Sequence, residues 1–277
     1  MAIGAGAEAG SDPVPALLRN GVLTVQGRLV AATNATLLCA IVEPDTGNRG
    51  GAAEQMQCVY KPIAGERPLW DFPNGTLGRR EIAAFLVSEA AGWHVVPPTV
   101  LRDGPFGPGM CQLWIDHDGT MLVDVVPPDQ IPDGWLRVFD AVDGMGDPVV
   151  LAHADDHRLR RMALFDVVVN NADRKGGHVL VNESGAVLGV DHGVCFHPEP
   201  KLRTVLWGWG GRVLTDGERR TLRALLGALR STLGARLGDL LDPNEVDATA
   251  ARVEGLLRVG RFPRPHPAWP QIPWPPF

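Results

Sequence analysis

Lysine is nearly absent from this 277-residue chain. Only Lys61, Lys175 and Lys201 occur, and subtracting these 3 from the 26 basic residues leaves 23 arginines. Such a bias fits G+C-rich coding, so a lysine kept against it is worth inspecting. Cysteine is limited to Cys39, Cys58, Cys111 and Cys195, widely spaced and with no Cys-x-x-Cys pair. That argues against a zinc site and reads as reduced, buried thiols in a cytoplasmic protein, with a disulfide as the alternative. No apolar run approaches the roughly 20 residues that span a bilayer, and no basic segment followed by an apolar core opens the chain. Neither integral membrane association nor secretion is expected. Excess positive charge is also missing. A net charge of −6 argues against a general nucleic-acid binder, and the cluster Arg158, Arg160 and Arg161 reads as a solvated helix face. The chain contains no GxGxxG, no GxxxxGK[ST], no HExxH and no GxSxG.

What is present, 45% hydrophobic and 21% charged residues, is the composition of a globular protein with a sizeable core. Residues 1–14, rich in Ala and Gly, read as a flexible N-terminus. Alternating apolar residues from Val22 predict two strands joined around Ala32–Ala35, and a third strand ends at Lys61-Pro62. Arg79 to Ala91 has helical spacing, while 95–100 and 110–115 read as strands. A Pro/Gly/Asp-rich break over 127–148 precedes a helix from Leu159 to Asn170. A hairpin follows, with strands at Val179–Val181 and Val187–Val190. Two or three helices fill Thr215 to Leu257, opened by an N-cap at Thr215 with Glu218 three residues later. The tail 261–277 holds seven prolines, Trp269 and Trp274. It reads as a packed arm, a peptide ligand for a partner domain, or disorder. The expected fold class is α+β, with a small strand-rich lobe (15–115), a helix-rich lobe (116–260), and a ligand cleft between them.

The loop Asn170-Asn171-Ala172-Asp173-Arg174-Lys175-Gly176-Gly177-His178 joins the helix to the hairpin. Asp191 stands at the hairpin's far end. A strand advances about 3.3 Å per residue and the turn reverses it, so both ends return to one region. Asp173, His178 and Asp191 should therefore meet there. Two converging carboxylates suit a divalent metal and a transferred proton, although a lone Asp at such a place is often only a cap or turn former.

The block Asn170 to Phe196 resembles the catalytic layout of the phosphatidylinositol 3/4-kinase-like branch of the protein-kinase-like superfamily. In that pattern Asp-Arg is followed by a hairpin and then Asp-x-Gly. It is also similar to HipA-like kinases, secretory-pathway kinases and type II lipid kinases, and particularly close to a group of actinobacterial phosphatidylinositol 3/4-kinase-like proteins. The resemblance runs from about Gly21 to Trp209. It implies a bilobal atypical kinase fold that binds ATP with Mg²⁺ or Mn²⁺. Asp173 would be the base or orienting carboxylate for an acceptor hydroxyl, and Asp191 would hold the metal. His178 stands where many relatives have a metal-binding Asn. Either a second metal is absent, or Mn²⁺ is preferred, or His178 only packs. Lys175 would touch the γ-phosphate or remain solvated. Lys61 would neutralise phosphate charge, oriented by Glu81. Thr33 and Asn34 stand at the place of a phosphate-covering loop, where an ordinary turn is the rival reading. Leu113, Trp114 and Ile115 fall on the adenine-binding hinge, with Trp114 stacking near the base or filling core. Trp207 and Trp209 would form a structural lid, or face a substrate or membrane edge.

The resulting expectation is γ-phosphate transfer to a hydroxyl of a protein or small molecule, with autophosphorylation open. AMP transfer and nucleotide binding without turnover are the alternatives. The negative charge and lack of a basic membrane-facing patch weigh against a lipid acceptor.

Overall fold

The computed structural model of the chain describes residues 13–29, 34–44, 55–67, 69–72, 77–266 and 269–277. Two compact units divide it: residues 1–67 with 98–114, and residues 68–97 with 115–277.

The smaller unit places helix α1 (Pro13–Asn20) beside five antiparallel strands: β1 (Val22–Arg28), β2 (Leu37–Val42), β3 (Met56–Pro62), β4 (Thr99–Gly104) and β5 (Gly107–Leu113). Their order is β1-β2-β3-β5-β4. The segment 95–100, expected as a strand, pairs only from Thr99 onward. Pro97 and Pro98 have no N–H to give a ladder, so the strand starts after them. Leu18, Ile41, Tyr60 and Val100 fill the core together with Cys39, Cys58 and Cys111. Burial pushes the Cys39 thiol up to about 11, and all four cysteines of the chain are free and buried. Arg102 ties the end of α1 to the sheet by donating to Leu18 O at 3.0 Å and Gly21 O at 2.9 Å. A Cβ at Gly104 would stand 2.6 Å from the Tyr60 ring, which explains glycine there.

The larger unit contains α2 (Leu77–Ala90), then a sheet of β6 (Val123–Val126), β7 (Trp135–Val142) and β8 (Pro148–Ala154) in the order β6-β8-β7. This sheet corrects the expectation of an irregular break over 127–148. A register shift between Arg137 and Phe139 breaks the period-two pattern by which β7 would be recognised. The Asp143 carboxylate closes the tight β7–β8 turn by accepting from the N–H groups of Met145 and Asp147, each at 2.9 Å.

Next come α3 (His157–Val169), the hairpin β9 (Val179–Val181) and β10 (Val187–Gly189), and the helices α4 (Asp216–Leu229), α5 (Thr232–Gly238) and α6 (Pro243–Val259). The expected capping box is present: Glu218 N–H donates to Thr215 Oγ1 at 3.1 Å, and Thr215 N–H donates to Glu218 Oε2 at 2.7 Å. Leu159, Met162, Phe165 and Val168 of α3 pack with Leu222, Leu225 and Val253 of α4 and α6 in one continuous core. Trp209 belongs to that core. Its indole N–H donates to Asp155 at 2.8 Å and its ring lies 4.4 Å from that of His153, so it faces no substrate.

The described part of the Pro/Trp-rich tail forms neither helix nor strand and packs as an arm along this unit. Gln271 O accepts from Trp207 Nε1 at 2.8 Å and from Thr204 N at 3.2 Å, while Pro276 O accepts from Gly176 N at 2.8 Å.

Candidate active site

Helix α3 begins on Asp156, whose carboxylate accepts from Arg158 N at 2.7 Å. It ends at Asn170, a left-handed C-cap with φ of 53°. The chain leaves the helix there as the polar loop 170–178. Asn170 ties this loop to a later segment: its amide nitrogen donates to His197 O and Glu199 O, and its oxygen accepts from Lys201 N. Asn171 bridges inward. Its Nδ2 donates to Asp166 at 3.0 Å, and its Oδ1 accepts from the backbone N–H of Asp173 at 3.0 Å.

Arg174 is the anchor of the loop, and the sequence reading gave it no role. Both Arg174 and Asp166 are fully buried, with Nη2 2.9 Å from Oδ1 and Nε 3.0 Å from Oδ2. The same guanidinium donates to Val190 O at 3.1 Å and lies 2.6 Å from His192 Nε2. One side chain thus fastens the loop to α3 and to the segment carrying Asp191. A readable signal existed: Asp166 sits on the apolar face of α3 between Phe165 and Val169, where only a paired carboxylate is tolerable.

The hairpin brings His178 and Asp191 together. Val190 N–H donates to His178 O at 3.1 Å, and Asp191 Oδ2 lies 3.7 Å from His178 Nε2. Asp191 has φ of 60° and its side chain is 53% exposed, so the carboxylate stands out from the hairpin end. Asp173 lies 3.7 Å from the Lys175 ammonium, with a side chain 32% exposed. Burial raises the Asp173 carboxyl above its ordinary 3.8. The Lys175 and Arg203 cations oppose that rise, and the negative charge of Asp191 reinforces it. Asp173 and Asp191 therefore feel each other electrostatically.

The donor set fits an open divalent-ion site. Mg²⁺ is held by one or two carboxylates with water and phosphate oxygens completing its shell, and an exposed carboxylate beside an imidazole offers that kind of anchor. No group of three acidic, His or Cys side chains that would cage an ion occurs among the described residues.

Glu81, on α2, is buried, and its Oε2 accepts from His192 N at 3.3 Å, next to Asp191 in the chain. Lys61 lies in β3 of the smaller unit, half-buried and opposite Met110. Asn34 Oδ1 accepts from Arg67 N at 2.9 Å, a contact between segments 33 residues apart, and Thr33 lies outside the described residues. The N–H groups of Leu113 and Trp114 donate to Pro98 O and Gln57 O at 2.9 and 3.0 Å. Ile115 falls in the larger unit.

A cavity of about 380 Å³ adjoins Asp173 and Lys175, walled by Trp70, Phe72, Trp269 and Trp274. Lys201, for which the sequence suggested nothing, braces this wall. Its ammonium is 3.2 Å from Asp71 and within 5.2, 5.9 and 5.7 Å of the ring centroids of Trp70, Phe72 and Trp269. Nothing local in the sequence marks these partners, because the wall is assembled from three separate segments.

Comparison with solved structures defines the class of fold as α+β and kinase-like. The Golgi casein kinase crystal structure aligns with 92% of this chain and 78% of its own, with a TM-score of 0.52 at 12% identity. A Helicobacter pylori proinflammatory kinase, CtkA, aligns with 86% of this chain and 97% of its own at a TM-score of 0.39 and 10% identity, too loosely to carry weight. No family model matches the sequence. Protein Rv2133c of Mycobacterium tuberculosis strain H37Rv is 48% identical over 276 residues, covering 96% of each chain. The chain belongs to the same family as that protein. No helix among the described residues is long and apolar enough to cross a membrane.

Proposed function

We propose that the chain is an ATP-dependent phosphotransferase of the phosphatidylinositol 3/4-kinase-like type, moving the γ-phosphate to a hydroxyl of a protein or small molecule. The observation that carries this reading is the return of Asp191 and His178 to within 3.7 Å of each other at the hairpin's end, with Asp173 electrostatically coupled to Asp191 on the adjoining loop. Phosphoryl transfer asks a protein mainly for positioning and charge neutralisation, and the loop supplies both kinds of group. Asp173 would orient the acceptor hydroxyl and take its proton, which a carboxyl raised by burial does more readily than an ordinary one. Lys175 would lend positive charge on the phosphate side. Asp191, with His178 beside it, would hold the divalent ion, whose chemistry when bound is to neutralise phosphate charge. For the smaller unit the reading assigns phosphate neutralisation to Lys61.

The test is incubation with ATP labelled at the α- or γ-position, with Mg²⁺ or Mn²⁺, followed by mass spectrometry. Transfer of γ-label that is lost in Asp173→Asn and in Asp191→Ala supports the reading. Transfer of α-label instead identifies an AMP-transferase. Nucleotide binding with neither product identifies a regulatory module.

A further inference from the structure

The cavity beside Asp173 has a lining that matches one kind of acceptor. It is about 380 Å³, within the range of small-molecule sites and too confined for a folded partner. Trp70 and Trp274 stand on its lining with 87% and 84% of their surfaces exposed. Indoles left that bare bury little of their own area, so they are available to cover a ligand's apolar face. The polar lining is accounted for: Asp71 is already paired with Lys201 at 3.2 Å, and Lys175 is assigned to the phosphate side, which leaves the Asp173 carboxylate balanced by the Arg203 cation on the acceptor side. Trp269 also lines the cavity.

Flat aromatic faces, the Asp173 carboxylate to accept from a hydroxyl and the Arg203 guanidinium to donate to one together describe a ring bearing hydroxyl groups around an apolar C–H face. We infer that this pocket is the acceptor site and takes a small uncharged carbohydrate ring, with Trp70 and Trp274 as its specificity-determining walls. The inference rests on the phosphotransferase reading. In the step it implies, a sugar hydroxyl oxygen bonds to the γ-phosphorus of ATP. The bond from that phosphorus to the bridging oxygen breaks, ADP leaves with the electron pair, and the hydroxyl proton passes to the Asp173 carboxylate. The tail arm is thereby part of the site: Pro276 O is bonded to Gly176 N, and a Cβ at Gly176 would collide with the Phe277 ring, so the arm that carries Trp274 is fastened directly to the catalytic loop.

The test uses the full chain and a panel of glucose, mannose, maltose and trehalose, each up to about 10 mM, which reaches any site of millimolar affinity. Saturation-transfer NMR reads binding without ATP, and ADP release with ATP and Mn²⁺ reads turnover. The expected result is saturation transfer and sugar-dependent ADP release from at least one sugar. Trp274→Ala should weaken sugar affinity roughly tenfold, Trp274→Phe should restore most of it, and ATP affinity should not change. ADP release with a serine-peptide panel and no saturation transfer from any sugar overturns the inference and leaves the phosphotransferase reading intact. Sugar binding that never produces ADP overturns the phosphotransferase reading, and the acceptor assignment with it. Silence in both measurements overturns both.

Discussion

Replacing Arg174 by methionine should destabilise the larger unit more than any substitution in the loop that carries the chemistry. The side chain is fully buried and makes a two-point contact with an equally buried Asp166. With Arg174 gone, the Asp166 carboxylate keeps only the neutral donors Asn171 Nδ2 at 3.0 Å and Thr204 Oγ1 at 3.4 Å. Removing one partner of a buried ion pair costs about 3–5 kcal/mol because the other charge is left in a low dielectric. Domains are stable by only about 5–15 kcal/mol, so this is a large share. For a unit of this size it corresponds to a fall in Tm of roughly 6–20 °C. Lysine should rescue little, since it keeps the charge but loses the planar fork that reaches Asp166 and Val190 O together.

The double variant Asp166→Asn/Arg174→Met separates charge from packing. It removes the orphaned carboxylate while keeping an acceptor for the Asn171 and Thr204 donors, so it should recover to within about 2 kcal/mol of wild type. Urea unfolding of the four chains, followed by circular dichroism, measures this coupling. A single variant that melts within about 2 °C of wild type, or a double variant no better than the single, would refute the claim that Arg174 is the loop's anchor.

Other consequences can be measured independently. His153 is fully buried, and burial lowers its imidazole from 6.5 to about 4. The neutral ring fits its contacts, accepting from Gly208 N at 3.1 Å and lying 2.9 Å from Ala154 O. A folded value depressed below the unfolded one gives stability that is present above pH 6.5 and lost as pH falls toward 4, about 3 kcal/mol in all. The Tm of His153→Gln should accordingly vary less than that of wild type between pH 7 and 4.5 (about the window of the shift). For Asp173 the sign is opposite. Its raised carboxyl means that the folded chain holds the proton more tightly, so ionising it costs stability as pH rises above 3.8. Carboxyl-carbon NMR of the metal-free chain should find Asp173 titrating above 3.8, and higher still in Lys175→Met; a value at or below 3.8 contradicts the burial of this group. Lys201→Met leaves Asp71 unpaired and should cost about 2–4 kcal/mol, with faster hydrogen exchange at 69–72 and 269–271. Lys61→Arg keeps the charge yet should weaken ATP use in a steady-state assay, because a guanidinium fork does not replace a compact ammonium. Unchanged kinetics would reduce the lysine scarcity to composition.

The helix, loop, hairpin and Asp191 were legible in the sequence because each is a local device. A helix ends on a left-handed Asn170, a four-residue turn at Asn182–Gly185 reverses the chain, and strand geometry does the rest. Their convergence needs no knowledge of distant residues. The sheet β6-β8-β7 was hidden because the period-two signal is broken by the shift at Arg137/Phe139 and masked by the surrounding prolines and glycines. The pocket wall was illegible for a stronger reason. Lys201 and Asp71 are 130 residues apart, and the rings that enclose the ammonium come from the segment 69–72 and from the tail. Tryptophans in a proline-rich tail say only that something apolar is to be covered. The difference has a physical consequence. The carboxylates are held by the buried Asp166–Arg174 core, whereas Trp274 is held by the arm's backbone bonds to Gly176, Thr204 and Trp207. The two sets meet at Gly176 and Thr204, so only a side-chain change such as Trp274→Ala, which keeps the arm's backbone bonds, should alter the acceptor site while leaving the charges of Asp173 and Asp191 placed as they are.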